Sequence, residues 1–150
     1  MNDIHDIPIR STRTSAERQR QTYALIGWPA VRAVVDDFYD RIQWHPTLAQ
    51  PFAVVTDWEH HKARLTHFWW ISLGGDAYAP YRYRIGEKHA PVGVTHALID
   101  DWLTLFRRTL EDHLPPDLAG LWFERAQRMG DSLRMLSDFY QRNPDRFRAG

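Results

Sequence analysis

A chain of 150 residues with 43% hydrophobic and 25% charged side chains is long enough for one domain with a real core. Its 19 basic residues balance 19 acidic ones, so no overall field favours nucleic acid or an anionic membrane, and the lack of cysteine excludes disulfides, thiolate metal sites and cysteine nucleophiles. No apolar run reaches the roughly 20 residues of a membrane span, and the opening Asn2-Asp3-Ile4-His5-Asp6 has no secretory character, so a cytoplasmic protein is expected.

Residues 1–15 are polar and aperiodic, and we expect a flexible arm there, a single domain over 16–143 and a tail over 144–150. Ser15 is placed to cap a first helix through Gln19, Tyr23, Ala24 and Ile26, ended by Gly27. Pro29 suits the first turn of a second helix, in which Val31, Val34, Val35, Phe38, Tyr39 and Ile42 follow the helical repeat. That helix should stop near His45, because a residue before proline is pushed out of the helical region. A short turn from Leu48 to Phe52 comes next. Thr56-Asp57-Trp58-Glu59 reads as a capping box, Thr56 accepting from the Glu59 amide. The helix behind it should run to about Leu73, where Gly74-Gly75 ends it. His61, Leu65, Phe68, Trp69 and Ser72 share its inward face, while His60 and His67 lie about 100° away and are expected to look outward or flank that face.

From Gly74 to about Val94 there is little periodicity, and stretches of this length are often functional. Thr95 should cap a helix through Leu98, Trp102, Leu105, Phe106 and Leu110 that ends near His113. Pro115-Pro116-Asp117 starts the last helix, with Leu118, Leu121, Trp122, Ala126, Met129, Leu133, Leu136 and Tyr140 inward and Pro144 as its stop. No strand alternation or repeat is visible. The pattern predicts an all-α fold.

The candidate chemistry rests on histidine and on buried donors. His89 follows an aromatic loop and is a candidate metal ligand, although a loop histidine is by default a solvated one. His61 sits on an apolar face, where a satisfied boundary residue is the plainer reading. Tyr39 and Trp102 are each ordinary core residues whose O–H and N–H need a partner once buried. Arg64, Lys62, Arg82, Arg84 and Lys88 read as solvated, with one or two placed to pair the carboxylates of a ligand. His61 and His67 are about 120° apart on an ideal helix, which argues against a shared non-haem metal site. Phosphate loops and Ser-His-Asp arrangements are absent.

Taken jointly, these segments resemble the truncated haemoglobins, specifically their third group. Phe38-Tyr39-Asp40-Arg41-Ile42 is similar to the helix segment carrying the distal tyrosine, and Pro51-Phe52 to the turn whose phenylalanine wedges against the porphyrin. Trp58 through Trp69 resembles the distal helix, with His61 in the distal position and Leu65, Phe68 and Trp69 lining the haem. His89-Ala90-Pro91-Val92, 13 residues before Trp102, is similar to the proximal histidine and its spacing to the distal tryptophan. Trp102-Leu103-Thr104-Leu105-Phe106 looks like the signature of the following helix. The resemblance spans roughly residues 20–142. It implies a two-over-two helical sandwich enclosing haem b, with His89 on the iron and Phe52, Leu65, Phe68, Trp69, Arg64 and Lys88 around the ring. His96 is a rival ligand, ranked lower because Thr95 puts it in the first turn of the next helix.

The same resemblance implies binding of O2, CO and NO, and redox chemistry on oxygen, nitric oxide or peroxide served by an electron-donating reductase. Nitric oxide dioxygenase and peroxidase-like turnover both stay open. So do two other classes: a haem-based sensor or ligand-storage protein without turnover, and a haem-free helical interaction domain. No nucleic acid or membrane partner is expected. Tyr39 and Trp102, acting as independent donors of about 1.5 kcal/mol each, would together slow oxygen release roughly a hundredfold.

Overall fold

The computed structural model describes residues 21–83 and 94–143. The expectations made at Ser15, Arg84, Lys88 and His89, and for the terminal arm and tail, lie outside the described residues. Among the described residues, five α-helices follow one another: α1 (Thr22–Ile26), α2 (Trp28–Gln43), α3 (Trp58–Ser72), α4 (His96–His113) and α5 (Pro116–Arg142), with one 3-10 turn at Pro51–Val54. No strand occurs among the described residues.

The helices start and stop for local reasons. Gly27 joins α1 to α2 with φ at 85°, a backbone region open to glycine and costly for other residues. All six apolar positions read from the sequence in α2 are buried, because the repeat sets them on one stripe. Thr95 caps α4, its hydroxyl accepting from the Leu98 amide at 3.1 Å. Pro116 opens α5, Asp117 lies in its first turn, where the helix dipole favours an anion, and the helix closes at Arg142, ahead of Pro144.

One predicted cap is displaced. Thr56 does not cap α3; Asp57 does, its carboxylate accepting from the His60 amide at 3.1 Å. Both residue types cap well. The chain enters the helix one residue later than the capping-box reading placed it.

Packing joins the helices in two pairs. α2 lies against α3 and α4 against α5, and α2 also packs on α4, which gives the two-over-two arrangement. The core between them holds Val31, Val34, Val35, Phe38, Tyr39, Ile42, Leu48, Trp69, Leu73, Phe106, Leu110, Ala119, Trp122 and Ala126. Gly130 lets α5 approach α4 closely, since a Cβ there would meet Leu103 Cδ1 at 3.0 Å. No helix among the described residues is long and apolar enough to cross a membrane.

At the end of α3, the Gly75 amide donates to the Trp70 carbonyl at 2.9 Å and the Trp70 indole folds over Gly75. A Cβ at position 75 would lie 2.4 Å from that ring, which is itself packed edge-on to Tyr23 at 5.1 Å. Gly75→Ala should therefore cost about 1–3 kcal/mol by overpacking. Thermal unfolding of the variant should show a midpoint several degrees lower, and an unchanged midpoint would mean that the indole swings away freely.

Candidate functional site

Three elements bring the predicted polar residues together. α2 supplies Tyr39, α3 supplies His61, and α4 supplies Trp102. Tyr39 is 4% exposed, and its hydroxyl is hydrogen-bonded to the Trp102 side chain. The indole has only an N–H to offer, so Trp102 donates and the tyrosine oxygen accepts. Burial pushes the Tyr39 hydroxyl above its ordinary 10.0, with the bond from Trp102 pulling the other way, so it keeps its proton at every physiological pH.

His61 meets the Tyr39 ring edge-on, with centroids 5.3 Å apart at 88°. Its Nε2 is fully buried. Phe52, held in the 3-10 turn, lies 5.9 Å from the Tyr39 ring, and Trp58 lies 6.2 Å from it. Phe52 and Trp58 stack on each other at 6.4 Å and 29°. The result is an aromatic box with a hydroxyl–indole pair at its centre. Trp58 was only part of a motif in the sequence; its position at the first turn of an inward-facing helix was the available sign of this role.

Trp69 is 2% exposed and stacks over Trp102 at 6.5 Å, which backs the donor pair with apolar surface. Leu65 and Phe68 are partly buried against the core. Arg64 is engaged elsewhere: it donates to the Arg82 carbonyl at 2.7 Å and lies over the rings of Tyr81 and Tyr83 at 5.2 and 5.5 Å. Lys62 pairs with Asp40 at 2.6 Å, tying α3 to α2 beside Tyr39. His96 pairs with Asp138 at 2.8 Å, on the seam between α4 and α5. His89 and Lys88 lie outside the described residues.

His67 takes the second of its two expected places, flanking the inward face. It does not face outward: it is 1% exposed, enclosed by Tyr78 and Tyr83 from the segment after α3. Helical periodicity placed it off the inward face correctly, but a covering loop has no periodicity to announce it.

A second frame holds the helices of Tyr39 and Trp102 in register. On α2, Asp37 pairs with Arg41 at 2.9 Å; across the gap, Arg41 reaches Asp112 at 2.8 Å and Asp37 reaches His113 at 2.7 Å, both on α4. Burial alone would raise the Asp37 carboxyl, but hydrogen bonds from His113 and Arg41 outweigh it and hold the pKa below 3.8. A carboxylate lowered in the folded state stabilises above its unfolded value and loses that contribution as pH falls through the folded one. Asp37→Asn should cost no more than about 1 kcal/mol at neutral pH, since the group is one-third exposed. In urea titrations the gap between variant and parent should close as pH falls through 3.8 and below; a constant gap would assign the cost to packing.

A donor pair walled by flat rings, its tyrosine buried and its indole partly buried, suits a planar prosthetic group with a small polar ligand. The residues present fit haem on that side. An open groove of about 420 Å³, lined by Leu103, Glu124, Gln127, Arg128, Asp131 and Arg134, shares no residue with this cluster. No curated protein and no solved structure matches the chain. The bacterial-like globin family model matches residues 21–130. This family model and the two-over-two helices around the Tyr39–Trp102 pair place the chain in the bacterial-like globins, as a haem-binding globin of the truncated fold.

Proposed function

We propose that this globin is a haem b protein of the third truncated group, working in the cytoplasm, with His89 as the iron ligand and Tyr39, Trp102 and His61 on the opposite side of the ring. Bound haem would supply the iron that takes O2, CO or NO and its one-electron chemistry. The chain's own part is to exclude water, present hydrogen-bond donors and admit the ligand. The observation that carries this reading is the bond from Trp102 to Tyr39 inside the aromatic box. An indole that donates to a tyrosine oxygen leaves the phenolic O–H to point at something else, and it polarises that O–H as it does so.

Such a pocket holds a partly negative ligand strongly, because each hydrogen bond counts for more in a dry site than in water. Strong retention is poor for delivery and suited to turnover. We therefore read the chain as a redox protein acting on oxygen, nitric oxide or peroxide, resupplied by an electron-donating reductase. We read His61, edge-on to Tyr39, as the gate for entry.

Absorption spectra of the purified ferric, ferrous and CO-bound protein test the haem assignment. A colourless chain that takes up no haemin would overturn it. Turnover of nitric oxide or peroxide by the loaded protein, against none, separates the redox reading from sensing or storage.

A further inference from the structure

We infer that His67 is a pH-operated latch: neutral, it fastens the segment 78–83 to α3, and protonated, it lets that segment go. This goes beyond the haem reading and does not depend on it. The bonding pattern fixes the ring's protonation. His67 Nε2 accepts from the amides of Tyr78 at 3.2 Å and Ala79 at 3.3 Å. Backbone N–H groups only donate, so Nε2 carries a lone pair and the proton sits on Nδ1. Nδ1 lies 2.6 Å from the Tyr83 hydroxyl, which itself donates to the Arg64 carbonyl at 3.0 Å. Tyr83 thus accepts from Nδ1 and passes its own proton on to α3. Every polar atom of the ring is used, and only the neutral Nδ1–H form allows it.

A proton added from solvent at Nε2 turns that acceptor into a donor facing two more donors. Both amide bonds are lost, and no acceptor bonded to the ring among the described residues compensates. From α3 the neighbouring charged or titratable groups are Arg64 and His60; from the segment they are Tyr78, Tyr81, Arg82 and Tyr83. No carboxylate pairs with His67 among the described residues. Tyr78 also accepts from Trp28 Nε1 at 3.0 Å, so release of the latch loosens a tie to α2 as well. Burial holds the imidazole pKa below 6.5. The sign follows: the latch is at full strength above 6.5, weakens as pH falls from there to the lowered folded value, and changes no further below it.

Amide hydrogen exchange on the full chain, read as protection factors to remove the intrinsic pH effect, tests this. Protection of Tyr78 and Ala79 should fall about tenfold per pH unit across that window and level off where the His67 ring, followed by nitrogen NMR, takes up its proton. His67→Gln keeps an acceptor and cannot titrate, so it should erase the pH dependence. Protection that ignores pH in the parent, a ring found protonated on Nε2 at neutral pH, or a pH dependence surviving in His67→Gln each overturns the latch. The parent titration decides the matter even where the variant fails to fold.

Discussion

Tyr39→Phe and Trp102→Phe should each speed oxygen release from the ferrous protein by about tenfold, which is what losing one bond of about 1.5 kcal/mol in a dry pocket does. The double variant should fall short of the hundredfold product. Independent donors would multiply, but the indole N–H is spent on the phenolic oxygen. Trp102 then acts largely through Tyr39, by polarising its O–H and fixing its direction. Groups in one hydrogen-bond network couple in this way, and a double-mutant cycle measures the coupling. Stopped-flow displacement of oxygen by CO in the parent, both single variants and the double supplies the four rates. Unaltered release in both single variants removes the donor role. Clean multiplication to about a hundredfold restores two separate donors, each turned toward the ligand in the loaded protein.

His89→Ala should abolish stoichiometric haem retention, and with it most of the stability that haem contributes. A ligand bound only by the folded state stabilises by about 4 kcal/mol when present at a thousand times its dissociation constant. The parent's unfolding midpoint should therefore rise steeply on adding haemin, while the variant's should hardly move. His96→Ala is the matching control: His96 is tied to Asp138 on the seam of α4 and α5, so its loss should leave the spectra alone. A His89→Ala protein with the parent's ferrous spectrum would move the iron ligand elsewhere.

Much of the fold could be read in the sequence where a local rule acts alone. The stripe on α2, the Thr95 cap and the proline start of α5 each depend on spacing or on a single residue's geometry. The meeting of Tyr39, His61 and Trp102 could be anticipated because all three sit on inward faces of neighbouring helices. Three things could not be seen. The cap at Asp57 instead of Thr56 turns on where the chain bends into the helix, and adjacent capping residues leave that choice to tertiary packing. The burial of His67 depends on Tyr78 and Tyr83, residues of a segment with no repeat to set its path. The Asp37–Arg41–Asp112–His113 frame joins positions over 70 residues apart, beyond the reach of any local pattern.

Trp102, Trp69 and Trp122 form a row, with neighbouring ring centroids 6.5 and 5.9 Å apart, that leads from the donor pair to the second turn of α5. Indoles so near one another share their excited states, and light absorbed by any of the three migrates to whichever is quenched first. Their ultraviolet emission thus behaves as one lamp wired to the pocket. Filling the site should dim even Trp122, although its ring lies sealed in the interior.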